Sequence, residues 1–349
     1  MKQYKNEMDN LHWTQAGKEN LINRVKANAQ QEPRKGHFSI GKYVVIAAAV
    51  CLFSVTAYAT GILQSASDVF APILGGTPVQ TEIIEKIGHP VGASDTSDGI
   101  TITADAIIAD SNHACIVYSI ANADGSPFAL PEGVLPEDVF FAGGKGGTEL
   151  PFNIGGLNGS SWIADTDNTD GTLQYIEMLS TEKPLPAGKK VTAEFSRLSY
   201  FDTDGKAVVL SEGDWKIRYE LNFEDVGVKI PVEKEFVRDG LTFTVHEISL
   251  SPIALQANYT VDAIPEWSNE ESGQLPEQDQ KEHFRFMDTI ELFITKTDGT
   301  IIDLTNSGGG LSVEDGVTMG YKGTVLEEIV PLNEIVSITV GDVVIDVNI

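Results

Sequence analysis

The chain repeats itself, and that repeat restricts its fold more than any other feature. The segment DGITITADAIIADSNHACIVYSI (Asp98 to Ile120) lies without gaps on DGLTFTVHEISLSPIALQANYTV (Asp239 to Val261) at a constant offset of 141. Asp-Gly, Thr101/Thr242, Thr103/Thr244, Ile107/Ile248 and Tyr118/Tyr259 coincide. Further on, FFAGGKGGTELPF (Phe140 to Phe152) matches LFITKTDGTIIDL (Leu292 to Leu304) at an offset of 152, and Pro184-Leu185 corresponds to Pro331-Leu332. The extra length falls in PEWSNEESGQLPEQDQKEH of the second copy. A period of about 145 residues is too long for a solenoid and marks the tandem duplication of a whole domain.

Each copy reads as strands. ITITADAII, LTFTVHEISL and WKIRYELNF alternate with period 2. Asp-Gly occurs seven times, at Asp98, Asp124, Asp170, Asp204, Asp239, Asp298 and Asp315. Between alternating runs it signals a hairpin, because a type I′ turn needs positive φ at both central residues. Short strands and frequent turns predict a mainly β chain with one β-sandwich over residues 93–228 and a second over 229–349. Residues 64–92 read as a juxtamembrane linker. In it Ser67 and Asp68 start a turn, Gly75-Gly76-Thr77-Pro78 break it, and Glu82 to Ile87 form a short helix. Gly92 to Ser97, small and polar, read as further linker.

Ahead of the duplication stands YVVIAAAVCLFSVTAYATGIL (Tyr43 to Leu63), free of charged residues, His, Asn, Gln and Pro. As a helix it spans about 31 Å, close to the hydrocarbon thickness of a bilayer. The 42 residues before it carry 8 Lys+Arg against 4 Asp+Glu, whereas residues 64–349 carry 16 against 47. Retained segments are rich in Lys and Arg, so residues 1–42 are expected in the cytoplasm and the two sandwiches outside. Ala57-Tyr58-Ala59 also resembles a signal-peptide cleavage site, but the long N-terminal region favours an uncleaved anchor. Of the two cysteines, Cys51 lies in the span and Cys115 in an exterior strand, which argues against a disulfide. Within 1–42, Thr14 is placed to cap an amphipathic helix running to about Gln30. Leu11, Leu21, Ile22 and Val25 supply an apolar stripe for a protein partner or for the membrane surface, and Arg34, Lys35 and Lys42 sit beside the bilayer. The acidic exterior excludes nucleic acid as a partner.

The motifs that suggest chemistry have plainer explanations. Lys145 among Gly143, Gly144, Gly146 and Gly147 lacks the Ser/Thr and the helix of a phosphate loop, and its counterpart in the second copy, Lys296-Thr297-Asp298-Gly299, reads as a hairpin tip. In DTDNTDGTLQYIE (Asp165 to Glu177), Gly171 and Glu177 fall at the sixth and twelfth positions of a calcium loop, but Thr166 holds the first and strands flank it. The six histidines, His12, His37, His89, His113, His246 and His283, have no metal-ligand spacing. No enzymatic activity, cofactor or metal is expected.

Three features together resemble a known group: Met8-Asp9-x-Leu11 leading a short helix, a single apolar span, and D-G-I-T-I-T…Y-x-I. A closing G-D-W-K-I-R-Y-E-L (Gly213 to Leu221) is similar to that group's Gly-x-Trp strand. The group is domain-of-unknown-function family 4179, single-pass proteins of Gram-positive bacteria, with the second copy resembling a related immunoglobulin-like domain. The resemblance covers most of residues 1–225 and implies an anti-sigma-factor-like regulator. Its cytoplasmic helix would bind an extracytoplasmic-function sigma factor, its exterior would sense a ligand or envelope component, and proteolysis within 64–92 would carry the signal. The cytoplasmic part departs from many anti-sigma domains in lacking cysteine for an H-x(3)-C-x(2)-C zinc site. The alternatives are an envelope adhesive or ligand-binding module in which residues 1–42 only set topology, and a secreted protein cleaved after Ala59.

Overall fold

The protein is described from a computed structural model covering residues 64–202, 204–268 and 276–348. The Tyr43–Leu63 stretch and the stripe of Leu11, Leu21, Ile22 and Val25 lie outside the described residues. Among the described residues no helix is long and apolar enough to cross a membrane.

Both copies are antiparallel β-sandwiches. In the first, strands β1 (Gly88–Ser97), β2 (Ile100–Ala109), β3 (His113–Asn122), β6 (Leu157–Ala164) and β7 (Leu173–Thr181) form a sheet in the order β1-β2-β3-β7-β6. It faces β8 (Lys189–Phe201), which pairs with β4 (Val139–Phe141), β5 (Gly146–Glu149) and β9 (Ala207–Leu221). The second sandwich repeats the plan. β10 (Val228–Arg238), β11 (Leu241–Leu250), β12 (Ala254–Val261), β15 (Gly309–Glu314) and β16 (Val317–Val325) are ordered β10-β11-β12-β16-β15. Opposite lie β13 (Leu292–Lys296), β14 (Ile301–Asp303), β17 (Ile335–Val340) and β18 (Val343–Asp346), ordered β14-β13-β17-β18. One apolar core fills each sandwich, the first around Tyr118, Phe195 and Trp215, the second around Phe243, Tyr259 and Phe286.

The offset of 141 survives in the irregularities. The β1/β2 register slips between Pro90 and Ala93, and β10/β11 slips between Pro231 and Lys234. The β2/β3 register slips between Ala104 and Ala106, and β11/β12 between Val245 and Glu247. The bulged residues are therefore Asp105 and His246, and each bonds the hydroxyl at its own repeat position: Ser119 Oγ donates to Asp105 at 2.9 Å, and His246 Nε2 lies 2.9 Å from Thr260 Oγ1. Bulges reshape twist and aim side chains, so their retention in both copies marks them as part of the design.

Burial pushes the half-buried Asp105 carboxyl up to about 7, against the pull of Ser119. The folded state thus holds a proton that the unfolded chain releases near pH 4, and stability falls as pH rises between those values. Asp105→Asn should raise the melting temperature at pH 8, by an amount on the order of 2 kcal/mol in stability, and lose that advantage by pH 4. Thermal melts across that range check it.

Glu177 on β7 and Lys322 on β16 hold corresponding sheet positions: the neighbours across the ladder are Ile116 and Ala257, 141 apart. Both are buried in their sandwich cores. Glu177 accepts from Thr148 N at 2.8 Å and Thr148 Oγ1 at 2.5 Å. Among the described residues the Lys322 ammonium donates to Met287 O alone, at 3.0 Å, and burial pulls it down to about 8. The folded state gives up this proton earlier than the unfolded chain does, so stability should rise between pH 8 and about 10.4. Ile290 N also donates to Met287 O, so that carbonyl keeps a partner without the lysine. Lys322→Met should therefore stabilise the protein at pH 7 by about 2 kcal/mol, measured by denaturant titration.

Three expectations are corrected. Gly92 to Ser97 are not linker but part of edge strand β1. Its small polar residues serve the second sheet: Asp95 accepts from Lys216 N at 2.8 Å and Ser97 from Asp214 N at 3.1 Å. Residues 66–87 form a helical hairpin, α1 (Ala66–Leu74) and α2 (Pro78–Ile87), instead of a turn and one short helix. Ser65 with Asp68 and Thr77 with Gln80 make two capping boxes, Pro78 starts α2, and Gly75 at φ 102° turns the chain between them. Finally, Gly143-Gly144-Lys145 is not a hairpin tip. β4 and β5 follow one another along the same edge of β8, and the glycines, at φ 84° and 80°, let the chain bulge out between them. In the second copy β14 instead folds back on β13, and there Thr297-Asp298-Gly299 does form the tip.

Candidate functional site at the joint of the sandwiches

The two sandwiches meet through equivalent turns. Asp110, after β2, faces Ser251, after β11, its own counterpart at the offset of 141. Asp110 Oδ1 accepts from the backbone N–H of Asn112 and His113, both at 2.8 Å, and lies 3.1 Å from His113 Nδ1. Its Oδ2 accepts from Ser251 Oγ at 2.5 Å. Burial opposes ionisation here, but the His113 ring and the hydroxyl and amide donors outweigh it and hold the carboxyl below its ordinary range. Ser111 adds a bond to Asp225, and Asn158 on β6 donates to Gly309 O on β15.

A third apolar core lies over this contact. Phe70, Leu74, Ile84 and Ile87 of the hairpin pack on Ala106, Ile108, Cys115, Val117 and Ile176 from the outer face of the first sandwich, and on Ile253, Ala254, Val325 and Ile329 of the second. Backbone and side-chain bonds fasten it: Ile329 N donates to Leu74 O at 2.7 Å, and Gln80 Nε2 to Ile329 O at 3.0 Å. Hairpin, first sandwich and second sandwich thus share one core. Two buried atoms at the joint, His113 Nε2 and Gln256 Oε1, have no hydrogen-bond partner among the described residues.

The outer faces of the two sandwiches differ at matching positions. Ala106, Ile108, Cys115 and Val117 of the first correspond to Glu247, Ser249, Gln256 and Asn258 of the second. The first face is apolar and covered by the hairpin. The second is polar and opens into a cleft of about 380 Å³, walled on one side by Glu182 and Lys183 of the first sandwich. His246, Glu247, Asn258, Ser312, Met319 and Tyr321 are among the residues of the second sandwich that line it. Gly310 and Gly320 are required by the rings beside them. A Cβ on Gly310 would lie 2.6 Å from the Tyr321 ring, and one on Gly320 would overlap Tyr259.

The other candidate residues fall elsewhere. Glu177, twelfth in the calcium-loop pattern, points into the first core and cannot close the loop at 165–172. There Asp167 and Asp170 accept from Thr169 and Thr172 of their own turns. Lys145 pairs with Glu194 and Asp214, both at 3.3 Å. Cys115 is buried in the third core, where burial pushes its thiol well up, as suits a packing residue. Among the described residues no three His, Cys, Asp or Glu side chains are grouped to hold a metal.

Reading each copy singly misses the joint. Its signal is the contrast between aligned copies: the same outward positions are apolar in one and polar in the other.

No family model matches the chain, and no curated protein matches it. Among solved structures it is similar to a conserved domain protein from Bacillus anthracis, at 15% identity and a TM-score of 0.46, covering 72% of this chain and 76% of that chain.

Proposed function

We propose that the protein is a single-pass, membrane-anchored and non-enzymatic regulator resembling anti-sigma factors, with the two sandwiches outside the cell. The observation that carries this reading is the hairpin. It begins at Ala66, directly after the apolar Tyr43–Leu63 stretch, and it packs on both sandwiches at once. A change in the fit of the sandwiches therefore reaches the residues next to the span without crossing a loose linker. The bonds of 66–74 and of 78–87 are helical while the hairpin is docked, so proteolytic signalling through them requires its release. Inside the cell, the stripe of Leu11, Leu21, Ile22 and Val25 binds a sigma factor.

Co-purification of the full-length chain from membranes tests this. A sigma factor should be recovered with the unmodified protein and lost when Leu21 and Val25 are both replaced by aspartate. Failure to recover one from the unmodified protein would leave the exterior binding module, which the cleft favours, as the better reading.

A further inference from the structure

The lining of the cleft can be read chemically, independently of whether any signal is relayed. We propose that the cleft takes a neutral, hydroxyl-rich ligand, a saccharide of one or two rings.

Its volume of about 380 Å³ sits at the lower end of the range for small-molecule sites. Its carboxylates and its imidazole already have partners within the protein. Glu247 Oε1 pairs with Lys229 Nζ at 3.1 Å, Glu182 Oε2 accepts from Gly156 N at 2.8 Å, and the His246 ring sits between Glu233, 3.1 Å away, and Thr260. A cationic ligand would compete with those partners for the carboxylates. Lys183 is the one cation lining the cleft without an ion-pair partner among the described residues, too little to recognise a phosphate by charge.

What remains is hydrogen bonding from Asn258, Ser312 and the free carboxylate lone pairs. Asn258 Oδ1 accepts from Gln256 Nε2 at 3.0 Å, which turns the Asn258 NH₂ group away as a donor pair. Carboxylate oxygens of Glu182 and Glu247 keep spare lone pairs, and Ser312 offers a hydroxyl. Met319, 44% exposed, supplies an apolar wall for the C–H face of a ring. The counterpart face of the first sandwich shows what a different occupant demands. There Ala106, Val117 and Ile176 seat an apolar helical hairpin, whereas Glu247, Asn258 and Tyr321 at the same sheet positions present hydrogen-bonding groups.

The test titrates the full-length chain in detergent with two neutral disaccharides, N,N′-diacetylchitobiose and maltose, followed by calorimetry and ligand-observed NMR. Inorganic phosphate and a deca-lysine peptide serve as charged probes. Saturable binding of either disaccharide, weakened at least tenfold in both Asn258→Ala and E247Q, supports the site. Lys183→Ala should leave the affinity within about twofold. Absence of binding by both disaccharides overturns the proposal. So does binding unchanged in both variants, or binding of the charged probes alone. Both variants alter exposed or half-buried side chains, and an unchanged melting temperature confirms that each is folded. Sugar binding without sigma-factor recovery would retain this site and reject the regulator, and the reverse result would do the opposite.

Discussion

Replacing Leu74 by aspartate is expected to split the melting of the full-length chain into two transitions. Leu74 is 1% exposed, packed in the core that the hairpin shares with both sandwiches, and its carbonyl accepts from Ile329 N of the second. Truncating such a leucine costs about 2–5 kcal/mol, and a carboxylate in its place would also be buried without a partner. Each sandwich keeps its own core, so the loss falls on the connection and not on either sheet pair. Calorimetry should show one transition before the change and two after it. Limited proteolysis should then produce new cuts within residues 64–92, which the docked helices protect. Unchanged single-transition melting with no new cuts would show that the hairpin does not join the sandwiches. Leu74→Met, which conserves volume, should behave as the unmodified chain.

The regulator reading depends on that connection. On that proposal the element next to the Tyr43–Leu63 stretch has to respond to the state of the sandwiches, and α1 touches both of them. The candidate ligand site spans the same joint, with Glu182 and Lys183 on one side and Glu247 and Asn258 on the other. Ligand binding and hairpin docking would then be coupled, each altering the other's equilibrium by the same factor.

The sheets were legible because the repeat aligned two versions of one pattern. Period-2 alternation identified β2, β11 and β9, and Asp-Gly marked their turns. The turn chemistry was finer than the motif. Asp98, Asp239 and Asp315 have positive φ together with the glycine after them, as type I′ requires. At Asp124, Asp170, Asp204 and Asp298 only the glycine does. At Asp298, Gly299 N donates to Lys296 O and Lys296 N to Thr300 O, the pattern of a type I turn followed by a left-handed glycine. β1 escaped notice because the residues that tie it to β9 are Asp95 and Ser97, which on composition alone look like linker. The hairpin escaped for another reason: its nine- and ten-residue helices are too short to stand alone, and only the apolar core they share with the two sandwiches gives them a partner. The Glu233 backbone shows the same dependence on context. It holds φ 49° where the first copy has Gly92 at 71°, an unusual conformation for glutamate that the shared bulge imposes.

The Gly-x-Trp strand carries the other large expected effect. Trp215 is fully buried between the sheets of the first sandwich, and its indole Nε1 donates to Ile100 O at 2.9 Å, so one side chain ties β9 to β2. Phe141 meets it edge-on with ring centroids 6.1 Å apart. The glycine is there for the ring: a Cβ at Gly213 would penetrate the van der Waals shell of the indole. Trp215→Ala should cost about 3–5 kcal/mol, and Gly213→Ala about 1–3 kcal/mol by overpacking. In the double variant the two losses should fall short of their sum, because removing the ring relieves the crowding that the added methyl creates. Denaturant midpoints followed by far-UV circular dichroism measure all three. Strict additivity would mean that the glycine serves the backbone alone and that Gly-x-Trp is not a packing pair. Amide exchange should place the damage first in β2, β8 and β9, with the second sandwich protected until the shared core opens.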